Sequence, residues 1–170
     1  MSDNLLDKAS ILLTPTAYRD GGMLSVKPNE NLYGSELVTN GDFATDSDWS
    51  LQSSASISQN KLIVSNAAQN TTIATQSSVA PTQKPCKLQF DIVVNTGSFR
   101  ILLGSSGTST TVTESGTYTL YETSGNFGTL TLQARDGGFD GSIDNVSVKE
   151  DLTGDFTFSR SSAATRVNAQ

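Results

Sequence analysis

Lys87-Leu88-Gln89-Phe90-Asp91-Ile92-Val93-Val94 decides the fold class of this chain. Leu88, Phe90, Ile92 and Val94 fall on one side and Lys87, Gln89 and Asp91 on the other. That is the period of two that a half-buried β-strand requires. Asn95-Thr96-Gly97 carries turn chemistry, and Phe99, Ile101 and Leu103 resume the alternation after it, which predicts a hairpin. Further out, Leu130, Leu132 and Ala134 alternate with Thr129, Thr131 and Gln133, while Leu62, Val64, Ile73, Tyr118 and Leu120 supply more inward positions. Turn signals recur about every ten residues, the spacing that two stacked antiparallel sheets need. No helical stripe interrupts residues 36–150. The expectation is an all-β protein, an antiparallel β-sandwich of jelly-roll type.

The last strand of this region breaks its own period. Ile143 is in one phase and Val146 and Val148 are in the other, with Asp144-Asn145 between them. A one-residue slip within a strand predicts a bulge, which would turn Asp144 toward a neighbouring loop. There Asp144 is either a calcium ligand or a carboxylate that caps the loop. Gly104-Ser105-Ser106-Gly107 and Asp136-Gly137-Gly138 read as hairpin turns. Neither leads into a helix or a Lys-Ser/Thr pair, so neither is a phosphate loop.

Composition removes several function classes. The chain has no histidine, and so lacks the commonest general base and metal ligand. Its single cysteine, Cys86, has no partner for an internal disulfide and reads as a small strand residue. Net charge is −6 with no basic block, which gives no footprint for nucleic acid. Ile11-Leu12-Leu13 is too short for a membrane span or a signal core, so no membrane insertion is expected. Glu114, Glu122, Asp91 and Asp140 are placed on polar faces or loops, which nominates no raised-pKa acid for glycoside hydrolysis and makes an enzyme unexpected. Trp49 reads as a core plug. Tyr121 is out of phase with Tyr118 and Leu120 and is the better exposed aromatic, and Phe139 flanks a turn.

The regular region is flanked by two short segments. In residues 1–35, Leu5, Leu6, Ala9 and Leu12 suggest a short helical turn that Pro15 stops. Asp20-Gly21-Gly22 and a short strand Met23–Val26 ending at Pro28 then complete a hairpin-like arm with too few apolar residues for a core of its own. Residues 151–170 hold a short strand, with Phe156 and Phe158 in phase, and a polar run that reads as a cut.

Two resemblances attach to these segments. Lys8-Ala9-Ser10-Ile11-Leu12-Leu13-Thr14-Pro15-Thr16-Ala17-Tyr18, followed by Gly22-Met23-Leu24-Ser25-Val26-Lys27-Pro28, is similar to the leader of structural proteins from tailed phages, often fibres. In that family the leader runs into a segment like Gly154-Asp155-Phe156-Thr157-Phe158-Ser159-Arg160-Ser161-Ser162-Ala163-Ala164-Thr165-Arg166-Val167-Asn168. Here residues 36–150 stand between the two halves. They open with Glu36-Leu37-Val38-Thr39-Asn40-Gly41-Asp42-Phe43 and close with Ile143-Asp144-Asn145-Val146-Ser147-Val148. These ends resemble the first and last strands of carbohydrate-binding modules.

The resemblance implies a virion component assembled in the host cytoplasm: the virion-proximal part of a fibre or adhesin. It would be mounted by the 1–35 arm and the 151–170 return, would contact other virion proteins and self-associate as a homotrimer, and would continue into host-binding domains. The rival reading is a carbohydrate-binding module appended to a polysaccharide-degrading enzyme. If the sandwich binds a ligand, the implied one is a glycan, a host glycan in the phage case, with Tyr121 and Phe139 stacking on it; otherwise the domain is a spacer or decoration. No cofactor is required. Any calcium is structural and expected near Asp42 and Asp144, although the position where the family commonly has an acidic ligand is Ala44 here.

Overall fold

The computed structural model describes residues 11–15, 24–28, 33–104, 110–126 and 128–152. Among them every regular element is a β-strand: β1 (Ile11–Pro15), β2 (Leu24–Pro28), β3 (Tyr33–Glu36), β4 (Ser50–Leu51), β5 (Ala55–Ser58), β6 (Lys61–Ala67), β7 (Thr72–Gln76), β8 (Pro85–Leu103), β9 (Thr111–Val112), β10 (Gly116–Thr123) and β11 (Leu130–Asp151). The protein is an all-β antiparallel sandwich of jelly-roll type, as the alternation predicts.

Two long strands organise it. β8 has 19 residues and β11 has 22, and they pair antiparallel from Leu130↔Leu103 to Glu150↔Cys86. Both bend in the middle, at Gly97 and over residues 135–138, where the register shifts between Ala134 and Phe139. The bend divides the ladder into two sheets. One runs β5-β6-β11-β8-β10 and uses the first half of β8 and the second half of β11, with β3 also paired to the end of β11. The other runs β4-β7-β11-β8-β9 and uses the opposite halves.

Asn95-Thr96-Gly97 and Asp136-Gly137-Gly138 are therefore not hairpin turns. They are bulges at which a continuous strand passes from one sheet to the other. Buried positions in β8 are even-numbered from Cys86 to Ile92 and odd-numbered from Phe99 to Leu103, so the phase changes while the direction does not. Gly97 (φ 78°) and Gly138 (φ 80°) are needed here. A Cβ on Gly97 would stand 2.1 Å from the Gly138 carbonyl oxygen, and one on Gly138 2.4 Å from that of Ala67.

The core lies between the two inner faces. Phe90 of the first sheet packs edge-on to Phe99 of the second at 5.7 Å between ring centres, and Phe139 lies 5.6 Å beyond Phe99. Burying each such ring contributes about 1.5–3 kcal/mol. Tyr118 stacks on Phe90 at 5.4 Å. One end is closed by the loop from Thr39 to Trp49, which inserts Phe43 and Trp49 as a ring pair at 5.2 Å. Trp49 is the core plug expected of it, and its Nε1–H donates to the Asn40 carbonyl at 3.0 Å.

β1 and β2 pair antiparallel from Ile11↔Pro28 to Pro15↔Leu24, so this part of the arm is a hairpin and Leu12 sits in a strand. The expected helical turn over residues 5–9, the tip at 105–107, the strand around Phe156 and Phe158, and the polar run to Gln170 lie outside the described residues.

Candidate functional site

The outer face of the β5-β6-β11-β8-β10 sheet carries Asp91, Asp144 and Tyr121 among its polar side chains, because the inward phase takes mostly apolar ones. Register places them in three rows. Thr117, Asp91 and Asp144 form the first, Thr119, Gln89 and Ser147 the second, and Tyr121, Lys87 and Lys149 the third. Four residues separate the first row from the third along a strand, about 13 Å.

The third row adjoins the place where the chain comes in and leaves. Lys149 pairs with Glu36 and Asp151 with Tyr33. Tyr121, 61% exposed, shares a hydrogen bond between hydroxyls with Tyr33 at 3.3 Å, and Lys87 Nζ stands 4.7 Å over the Tyr33 ring. The Tyr121 hydroxyl raises the Tyr33 phenol above its ordinary pKa, with burial adding to the effect. The predicted exposure of Tyr121 follows from its odd position in β10. Phe139, the other predicted stacking residue, is corrected. It is 2% exposed, because the bulge before it turns the ring inward against Phe99, so it offers no face to a ligand.

In the first row, Thr117 Oγ1–H donates to one Asp91 oxygen and Asn145 Nδ2–H to the other, at 2.7 Å for Asn145. The Thr117 bond first, then that of Asn145, holds the Asp91 carboxyl below its ordinary pKa. Asn145 adopts φ 51° at the register shift between Asp144 and Ser147, which is the bulge predicted from the phase slip. Asp144 Oδ1 accepts the Asn145 N–H at 2.7 Å and so caps that bulge.

Asp42 and Asp144 belong to segments that do meet, through Val146 N–H to the Gly41 carbonyl at 2.8 Å. Their carboxylates are engaged separately. Asp42 Oδ1 takes the Ala44 N–H at 3.4 Å, while Asp144 lines an open groove with Lys61 and Asp91. The described residues contain no group of three or more Asp, Glu, Cys or His side chains able to hold a metal.

Several residues that matter were not singled out from sequence. Glu36 Oε1 accepts from the N–H groups of Leu37, Val38 and Val148 at 3.2, 3.1 and 2.8 Å, and Oε2 from Ser147 Oγ at 2.6 Å. This carboxylate, not Asp144, ties the opening segment to the closing strand. Its signal was its place at the head of the opening motif. Buried Gln76 clamps Thr39 with bonds of 2.9 and 2.8 Å. Glu122, read as lying on a polar face, is 8% exposed and accepts from Thr110 Oγ1, since its even position shares the inward phase of Tyr118 and Leu120. Cys86 is buried as a strand residue, and burial, then Glu150, pushes its thiol up to about 11.

No protein-family model matches the chain, and no curated protein matches it. Among solved structures it is similar to the C-terminal family 22 carbohydrate-binding module of Clostridium thermocellum Xyn10B, a structure concerned with conserved residues of that module's cleft in ligand binding. The similarity has a TM-score of 0.42 and 15% identity, over 74% of this chain and 99% of that one.

Proposed function

We propose that the chain is a non-enzymatic structural component of a tailed-phage particle, the virion-proximal part of a fibre or adhesin, in which the sandwich is an inserted, outward-facing module that contacts host-surface glycans. The observation that carries this reading is the pairing of β3 with the end of β11, Glu36 with Lys149 and Tyr33 with Asp151. A module whose chain comes in and leaves side by side interrupts its host segment without separating the two cut ends. The flanks that resemble one continuous phage leader are those joined to these two strands. On this reading residues 1–35 and 151–170 form the mount, neighbouring virion proteins are the partners, and the assembly is a homotrimer.

The test is to replace residues 34–150 with a short Gly-Ser bridge in the phage genome. Particles are expected to assemble with the protein incorporated, and electron microscopy is expected to show them lacking one knob of density. Failure to incorporate, or no density for the chain in native particles, refutes the reading in favour of a module appended to a carbohydrate-degrading enzyme.

A further inference from the structure

We infer that the groove at the far end of the outer face, between Asp91, Asp144 and Lys61, is the glycan site, and that it selects neutral over acidic saccharides. The inference rests on the glycan-contact part of the proposed function and adds the place and the charge class. The groove holds about 430 Å³ and is lined by Lys61, Asp91, Val93, Thr117, Ser142 and Asp144 among others. It begins at the Asp91 row, two rows from the Tyr121–Lys87–Lys149 row, and extends to Val93, six residues from Lys87, so it lies about 13–20 Å from that row, which adjoins the tether. A mounted sandwich presents this end outward and turns the tyrosine end toward its mount.

The groove has the two kinds of surface a pyranose needs. Val93 is 45% exposed on the outer face and, with the side-chain-free Gly116 in the same groove, offers an apolar strip to the C–H face of a sugar. Around it stand acceptors whose orientation is already fixed. Both Asp91 oxygens are held by an internal donor, and each keeps a second lone pair. Asp144 Oδ1 is committed to the Asn145 N–H, which aims the carboxylate and leaves Oδ2 for a ligand hydroxyl. Carboxylates oriented before binding lose little freedom when they take up a hydroxyl pair. Lys61, the first residue of β6, supplies a donor, and its charge helps lower the Asp91 carboxyl. Two carboxylates against one ammonium leave the groove negative, which penalises uronic and sialic acids and leaves neutral hexoses and pentoses unpenalised.

The experiment uses the 170-residue chain, with amide shifts followed by NMR during titration with laminarihexaose, mannohexaose and xylohexaose, and with colominic acid and oligogalacturonate as acidic probes. At least one neutral hexasaccharide is expected to shift the amides of Asp91, Thr117 and Asp144. Lys61→Ala and Asp144→Ala are expected to weaken that binding about tenfold or more, and Tyr121→Ala less than twofold. The Lys61 variant guards against a folding defect, since its side chain is exposed at the start of β6. Shifts confined to Tyr33, Lys87 and Tyr121, or tighter binding of the acidic probes, overturn the inference while leaving a glycan-contact module in place. No response to any probe overturns the inference and the glycan part of the proposed function together, and leaves the virion placement to the genome deletion.

Discussion

Gly137 and Gly138 form a matched pair for testing how the long strands cross between sheets. Both have a left-handed backbone, φ 79° and 80°. An L residue in that conformation costs about 1–2 kcal/mol, and the narrower unfolded ensemble of alanine returns about 0.4–1. Gly137→Ala, whose Cβ would meet nothing nearer than the Gly97 Cα at 3.8 Å, should therefore lose about 0.5–1 kcal/mol. At Gly138 the Cβ would lie 2.4 Å from the Ala67 carbonyl oxygen. An ordinary C···O contact is about 3.3–3.6 Å, so two backbones must separate by about 1 Å. That strains the core by about 1–3 kcal/mol and weakens the Phe139↔Ala67 pairing by about 1 more. Gly138→Ala should lose about 3–4 kcal/mol in total. Urea unfolding followed by the fluorescence of Trp49, the sole tryptophan, measures both. At about 4 °C per kcal/mol, Tm should fall about 2–4 °C for the first variant and 12–16 °C for the second. Losses equal within about 0.5 kcal/mol would refute the claim that the approach of β11 to Ala67, and not φ alone, requires glycine.

Glu36→Ala removes the acceptor shared by Val38, Val148 and Ser147 and should cost about 2 kcal/mol after discounting for solvent at this rim, with Glu36→Gln losing less than half as much in the same urea assay. Cys86 should resist Ellman's reagent at pH 8 until the protein is unfolded. Its thiol is raised from 9.0 to about 11, so the stability it contributes is whole below pH 9 and is lost as pH rises to about 11, a loss that Cys86→Ala should abolish. Asp91 has the opposite sign. Its folded-state pKa lies below 3.8, so its contribution is present above that pH and disappears as pH falls through the folded-state value. The stability gap between wild type and Asp91→Asn should close on acidification. EDTA should leave Tm unchanged within error, because Asp42 and Asp144 cap separate turns.

The parts of this fold legible in the sequence are those set by side-chain phase. Leu88 to Ile92, Leu130 to Ala134 and the outward Tyr121 follow from a period of two, and the bulge at Asn145 follows from its interruption. The crossings at Gly97 and at residues 135–138 were not legible as such. Gly next to polar residues marks a reversal and a bulge alike, and only the pairing of β8 with β11, far away in sequence, distinguishes them. The misplacement of Phe139 follows from that ambiguity. The site suffered from the same dependence on distant partners. Asp91, Thr117, Asn145 and Lys61 come from four separate stretches of chain, and no spacing within one segment announces their meeting.

The side-by-side arrangement of β3 and the end of β11 also decides how the molecule carries force. On the fibre reading proposed above, tension would follow the shortest covalent and hydrogen-bonded path, which crosses Tyr33↔Asp151 and Glu36↔Lys149 without traversing the core. The sandwich hangs from this line as a pendant. A pull strong enough to reach it opens the β3–β11 ladder like a zipper, one pair at a time and about 1 kcal/mol per bond, and the long β8–β11 ladder is not sheared as a block. Drag on a ligand-bound sandwich would then be relieved by a small reversible peel at the tether, with Phe90, Phe99 and Phe139 still packed.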